Sequence, residues 1–313
     1  MILRPLHLVP SNTSLDFLGK RWIAFVLSIA LLLSSIGLLF TKGLNFGIDF
    51  TGGTVIELRT KEPLDLAKVR PLLNKAGLGD ISLQTITEAM AGPEENDLMI
   101  RFGKQPGDNK DQLAAAEKVR TLLESHVNGE IEYRKTDFVG PQVGRELIEA
   151  GALSLGLALI AIMVYIWLRF EWQFGLGAIA ALFHDTILTL GLFSLLQIEF
   201  NLTSIAAILT IIGYSINDSV VIFDRIRENL RKFKKKPLPD LLNLSINNTL
   251  SRTILTAGTT VVALVALVVF GGHVIYGFSL AVLFGVIIGT YSSVYIAAPI
   301  LIFMDPRQKE NGK

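Results

Sequence analysis

Residues 213–229 read GYSINDSVVIFDRIREN. The stretch continues an apolar run as far as Phe223, and Asp224 and Arg225 end it. Asn217 and Asp218 sit inside the run. The run from 202 to 223 is long enough to cross a bilayer, which takes about 17–25 apolar residues. A charge at mid-bilayer is costly, so an ionisable residue there usually lines a cavity or a pathway. Asp218 is too short to reach water comfortably from its depth. Tyr214 and Ile211 share its helical face, because positions four and seven apart stack, and Asn217 and Ser215 flank that face. Asp224 reads as an interfacial charge beside a basic stretch.

Five more apolar runs of similar length lie at 22–40, 147–168, 174–196, 254–270 and 275–303. They account for a chain of 313 residues that is 50% hydrophobic with a net charge of only +1. The chain has no cysteine, so no disulfide framework exists and the redox compartment is not legible. Lys20 and Arg21 precede the first run, but residues 40–42 (FTK) offer no small-residue cleavage site. The first run is read as a retained helix. The short connections alternate in charge. Arg4, Lys20 and Arg21, Arg169, the stretch from Arg225 to Lys236, and Arg307 to Lys313 fall on one side. The loops 197–201 and 271–274 carry no Lys or Arg. The positive-inside rule therefore puts both termini in the cytoplasm.

The expected domains are residues 1–42 (N-terminus and first span), 43–146 (outer domain), 147–304 (the other five spans, with a cytoplasmic basic loop at 225–251) and a tail at 305–313. Within the outer domain, 54–60 alternates apolar and polar as a half-buried strand does. Residues 65–76 and 109–127 read as helices, and 81–89, 98–102 and 131–139 as strands. The cluster 91–97 (AGPEEND) reads as a turn. The order β-α-β-β-α-β is the ferredoxin-like arrangement. The fold class is thus an α-helical membrane protein with six transmembrane helices and one ferredoxin-like α+β domain on the outer side between helices one and two. The free face of that sheet is open to a partner domain, an extended peptide or another subunit.

Two further polar groups lie in the spans. His184 and Asp185 sit mid-way along the third. They suit a proton relay, since histidine titrates near neutrality, and equally a structural hydrogen-bonded pair between helices. Arg252, Thr256 and Thr259 form one stripe opening the fifth. Arg252 and Asp218 lie at similar depth and read as an ion pair whose making and breaking couples protonation to helix repacking. Asn217, Ser215, His184, Asp185 and Thr256 are the candidate supporting network. Gly285 and Gly289 make a G-x-x-x-G step for close helix packing. The scattered histidines provide no metal set, and no cofactor is expected. No P-loop, nucleophile elbow or dinucleotide fingerprint occurs, so the chain does not read as an enzyme. Proton or sodium flow is the energy source left, a membrane potential supplying about 2.3 kcal/mol per charge per 100 mV. The basic stretch reads as membrane anchoring at an anionic bilayer surface, not as a nucleic-acid site, since it lacks interleaved aromatics.

FGIDFTGGT at 46–54, FHD at 183–185, GYSINDSVVIFDRIRE at 213–228 and SRT at 251–253 together resemble the SecD/SecF family of protein-export membrane proteins. FGIDFTGG is common to both branches of that family. The six spans and single small outer domain are similar to the SecF branch, and the length suits one subunit, not a fusion of two. The resemblance implies a bacterial inner-membrane protein that pairs with SecD into a twelve-span assembly similar to resistance-nodulation-division transporters. It implies association with the SecY, SecE and SecG channel and with YajC. It implies use of the proton-motive force to promote export of unfolded polypeptide after SecA has driven it through. The family's proton-site carboxylate falls on Asp218 and its partner arginine on Arg252. Gly52 and Gly53 are read as backbone geometry at a strand start, with no ligand. A proton-driven small-molecule exporter half and a passive scaffold subunit are the rival readings.

Overall fold

The computed structural model describes residues 13–60, 64, 66–74, 76–78, 81–86, 96–103, 109–127 and 130–307. In chain order, α1 (Arg21–Thr41) leads into a connector made of β1 (Asn45–Phe46) and α2 (Ile48–Thr51). The small domain follows as β2 (Gly53–Thr60), α3 (Leu66–Asn74), β3 (Ile81–Ile86), β4 (Asn96–Phe102), α4 (Asn109–His126) and β5 (Ile131–Val139). Then come α5 (Pro141–Arg169), α6 (Trp172–Leu196), β6 (Glu199–Phe200), α7 (Leu202–Lys232), α8 (Leu238–Phe270) and α9 (Gly272–Ser292). A π-helical turn, Ser293–Ala297, joins α9 to α10 (Ala298–Phe303). Among the described residues, six helices are long and apolar enough to cross a membrane.

The small domain has the expected topology. Its strands lie in the order β3-β4-β2-β5, every pair antiparallel. Alternate residues of β2 and β4, Ile56, Leu58, Ile100 and Phe102, point to one face and pack with Val69 and Leu73 of α3 and Val119 and Leu123 of α4. The period-2 pattern read in the sequence therefore marks the covered face. The opposite face is not simply open. Val55 and Met99 meet Ile48 of α2 there, and Arg59 forks onto Asp97 at 2.6 and 2.7 Å. The expected turn at 91–97 lies, as far as residue 95, outside the described residues.

Gly52 and Gly53 open β2 with φ angles of 70° and 124°, a region that side chains disfavour. A Cβ on Gly53 would also stand 2.6 Å from the Phe102 carbonyl oxygen on β4. Gly53→Ala is expected to cost about 1–3 kcal/mol through this strain and to lower the melting temperature of the purified protein. An unchanged melting curve would refute that.

The spans pack around one apolar core. Phe170 and Phe174 each meet Phe223 edge-to-face, with Phe174 and Phe223 centroids 5.3 Å apart. Gly285 and Gly289 let α9 close on α7: a Cβ on Gly285 would lie 2.3 Å from Ile211, and one on Gly289 would lie 3.2 Å from Ser215. The expected basic loop at 225–251 is corrected. Residues to Lys232 continue α7, residues from Leu238 belong to α8, and only 233–237 form the turn. The extensions are amphipathic and bury Ile226, Asn229, Leu241, Leu242 and Ile246 against each other, so both helices gain by running on. Asn229 closes the hairpin by donating to Ser245 Oγ at 2.9 Å. The stretch before α1 lies along α8. Leu15 N–H donates to Asn247, whose amide donates back to Leu15 O. The Asn243 amide donates to Asp16, holding that carboxyl below the usual range.

Candidate functional site: a polar layer between the membrane helices

Four membrane helices deliver polar side chains to one buried layer. On α7, Ser215 and Asp218 are three residues apart and so share a face. On α6, His184 and Asp185 turn inward. Thr253 comes from α8, Ser292 from the end of α9, and Ser293 from the first position of the π turn.

Both carboxylates are buried: Asp185 is 1% exposed and Asp218 8%. Asp185 Oδ1 accepts from His184 Nδ1 at 2.9 Å. Its Oδ2 accepts from Ser215 Oγ at 2.6 Å and from Ser292 Oγ at 2.7 Å. Asp218 Oδ1 accepts from Thr253 Oγ1 at 2.6 Å, and its Oδ2 accepts from Ser293 Oγ. The neighbours Ser292 and Ser293 thus reach two different carboxylates on two different helices. Successive residues on a helix diverge by about 100°, so the serine pair straddles the seam between α6 and α7. The π turn begins at this point. Such turns widen the helix locally and recur at functional sites.

The partners bonded to Asp218 are both hydroxyls, not cations, and that decides what the layer can do. A hydroxyl donates to an ionised carboxylate and, after rotation, accepts from a protonated one. Asp218 can therefore gain or lose a proton with both oxygens still bonded. His184 extends the layer toward α1. Its ring lies 6.2 Å from that of Tyr291, whose hydroxyl donates to Ala24 O and meets Ser28 Oγ, each at 2.9 Å. The buried His184 Nε2 has no hydrogen-bond partner among the described residues.

The structure thus brings together Asp218, Asp185, His184 and Ser215. Arg252 stands within Coulombic reach of Asp218 but does not touch it. Arg252 is exposed and makes no ion pair with Asp218 among the described residues. The reason is helical phase: Thr253 faces the carboxylate, which turns Arg252 outward. Asn217 and Thr256 also face outward, and the Thr256 hydroxyl bonds carbonyls of its own helix. With Thr210, Thr259 and the half-buried Tyr214, they make a polar stripe on the outer surface of α7 and α8. Asp224 pairs with Arg169 at 2.8 Å at the basic end of the bundle, as an interfacial charge would. Thr253, Ser292 and Ser293 were not singled out in the sequence reading. Thr253 stood within the quoted SRT motif, and the signal for the others was a polar pair, Ser292-Ser293, inside an otherwise apolar run.

Comparison with known proteins agrees with this architecture. The model of the C-terminal region of the protein export membrane protein SecD/SecF matches residues 118–307, and that of the SecD/SecF GG motif matches residues 37–63. The chain is 52% identical over 301 residues to the protein translocase subunit SecF of Rickettsia conorii, covering 96% of this chain and 95% of the relative. It is 51% identical over 308 residues to the subunit of the same name in Rickettsia felis, covering 98% and 97%. Among solved structures, it superimposes with a TM-score of 0.83 and 32% identity on SecDF, a translocon-associated membrane protein from Thermus thermophilus. That match takes in 96% of this chain and 40% of the longer SecDF chain. A second SecDF structure, in the super-membrane-facing form, matches with a TM-score of 0.66. The chain belongs to the SecD/SecF family of protein-export membrane proteins.

Proposed function

We propose that the chain is a subunit of the Sec protein translocase that pairs with SecD and uses the proton-motive force to promote export of unfolded polypeptide after SecA-driven translocation. The observation that carries this reading is the hydroxyl-lined pair of buried carboxylates, Asp185 and Asp218. A static scaffold has no use for two such groups in lipid-spanning helices, where each is costly. Proton binding at one oxygen of Asp218 would reverse the hydroxyl bond at that oxygen, from Thr253 or Ser293, leave the other accepting, and shift α7 against α8 and the π turn. Asp185 and His184 would follow through Ser215 and Ser292. No covalent step is involved, and the work is that of a coupled conformational change.

The partner is supported by the stripe on α7 and α8. Arg252 and Asn217 on a surface of membrane helices are poorly served by lipid tails. A second membrane subunit with polar or acidic groups at the same depth would serve them, and SecD fits that requirement. In this reading Arg252 reaches across the subunit interface while its charge still acts on Asp218 without a direct bond. The charge distribution of the loops supports cytoplasmic termini and a small domain on the outer face of the bacterial inner membrane. There that domain would meet the emerging polypeptide, with the SecY, SecE and SecG channel and YajC as neighbours.

Arg252 is the test of the interface. Arg252→Ala is expected to lower recovery of SecD with the tagged chain at least several-fold at equal membrane abundance. Arg252→Lys keeps the charge and is expected to retain part of it. If Arg252→Ala co-purifies with SecD at the level of the unaltered chain, the stripe is not the interface. The function itself is tested by measuring export with the proton gradient present and collapsed, in membranes carrying the unaltered chain or none.

A further inference from the structure

A helix begins with N–H groups that lack partners in its own backbone. In α7, Asn201 serves one of them, accepting from Ser204 N at 3.1 Å. The N–H of Leu202 is served from far away in the chain: it donates to Asp49 Oδ2 at 2.9 Å. Asp49 lies in α2, within the segment FGIDFTGGT. A carboxylate there also opposes the positive end of the α7 dipole.

The rest of the segment is fastened to the same place. β1 pairs in parallel with β6, Asn45 opposite Glu199 and Phe46 opposite Phe200. Gly47 N–H donates to Phe200 O at 2.8 Å, and the Asn45 amide donates to Gln197 O at 2.9 Å. Gly47 leaves room for the Glu199 carboxylate: a Cβ there would lie 2.5 Å from Glu199 Oε1, so the side chain would have to move. From the small domain, Arg101 on β4 pairs with Glu199 at 2.6 Å and donates to Phe46 O at 3.1 Å. The sheet of the domain, the connector and the first residue of α7 are therefore tied at one point. From that point α7 runs unbroken to Asp218, about 24 Å away at 1.5 Å per residue.

We propose that Asp49 is a positioning residue for proton coupling: with the Arg101–Glu199 ion pair, it clamps the start of α7 to the small domain, so that a shift of the Asp218-bearing helix moves the domain. This inference rests on the proton-coupled reading above and supplies its mechanical link. The clamp is built from a backbone cap and a two-strand sheet, both short and directional. Displacement of α7 along its axis therefore cannot occur without displacement of the connector.

The test uses the full chain together with SecD. Asp49→Ala, Asp49→Asn, Arg101→Glu, Glu199→Arg and the double exchange are compared with Asp218→Asn at equal membrane abundance. Asp49→Ala is expected to lower gradient-dependent export about fivefold, the shift that loss of one helix cap produces, while export driven by ATP alone persists. Asp49→Asn still caps the helix and is expected to restore most of it. The double exchange is expected to recover what each single charge reversal loses. Because the chain has no cysteine, spin labels on the pair Thr121→Cys and Leu196→Cys report the distance between small domain and bundle. That distance distribution is expected to broaden in Asp49→Ala. If Asp49→Ala and Arg101→Glu export as the unaltered chain does while Asp218→Asn fails, the clamp is overturned and the proton reading stands. If Asp49→Ala lowers both components of export equally and the label distance stays sharp, Asp49 is merely structural and the proposal falls. If Asp218→Asn is itself silent, the proton reading falls, and the clamp's role in coupling falls with it.

Discussion

Asp218→Asn is expected to abolish the gradient-dependent part of protein export and to leave the ATP-driven part and the membrane abundance nearly unchanged. The two halves of that expectation have separate physical grounds. Asparagine has the same shape as aspartate and still offers an acceptor oxygen to one hydroxyl, while its amide donates to the other. Thr253 and Ser293 therefore both remain bonded, no buried polar group is stranded, and the fold should hold. What is lost is the ability to exchange a proton. A coupled device without its titratable group cannot draw on the gradient, so the expected loss in that component is at least tenfold. Export measured in inverted vesicles, with and without a collapsed gradient, reads both components. Full retention of the gradient response would assign Asp218 a structural role and favour the scaffold reading. Asp218→Leu is the contrasting variant. It strands the Thr253 and Ser293 hydroxyls in the core, so it is expected to lower abundance as well as export.

Gly285→Leu is expected to cost most of the folded protein. A Cβ at this position already lies 2.3, 2.5 and 2.7 Å from three side-chain atoms of Ile211, before the rest of the leucine is placed. Overpacking of this kind typically costs about 1–3 kcal/mol and at times more. The damage should also reach the polar layer. Ile211, Ser215 and Asp218 follow one another along one face of α7, and Gly285 leads on α9 to Ser292 and Ser293 two turns later. Forcing α9 away from α7 pulls the serine hydroxyls off both carboxylates. The milder Gly285→Ala, at matched abundance, is therefore expected to lose gradient-dependent export. Adding Ile211→Ala removes the obstructing atoms and is expected to restore both abundance and export. A double-mutant cycle reads this as a coupling well outside simple additivity. Additive losses would show that the two helices do not meet as described.

How much was legible beforehand differs between elements for identifiable reasons. The small domain's topology was readable because each strand alternates on a half-buried sheet and each helix carries one apolar stripe. Strand β5 falls on the expected 131–139. The 225–251 stretch was expected as a basic loop, with only 241–250 read as amphipathic and able to extend the fifth helix, but two helices fill most of it. Its charges dominate the composition, whereas its fold is set by apolar positions spaced along two helices that cover each other. Arg252 was expected in direct contact with Asp218, whereas its charge acts from the next position along α8, beyond ion-pair distance. Depth along a helix is readable from residue number, but rotation about its axis is not when nearly every flanking residue is apolar.

Alone, the sequence determined the number and placement of the membrane helices, though not how far α7 and α8 run on, and the α+β pattern between the first two. It also singled out Asp218 and the His184-Asp185 pair as polar groups where lipid would surround them. These properties are local: apolar length, strand alternation and the cost of a charge in an apolar run act through neighbouring residues. Only the tertiary structure decided that Thr253 and not Arg252 meets Asp218, that Ser292 and Ser293 join the two carboxylates, and that Asp49 caps a helix 153 residues further on. Those contacts depend on the rotation and registry of packed helices, which the close fit of Gly285 and Gly289 against α7 sets and which no single segment encodes.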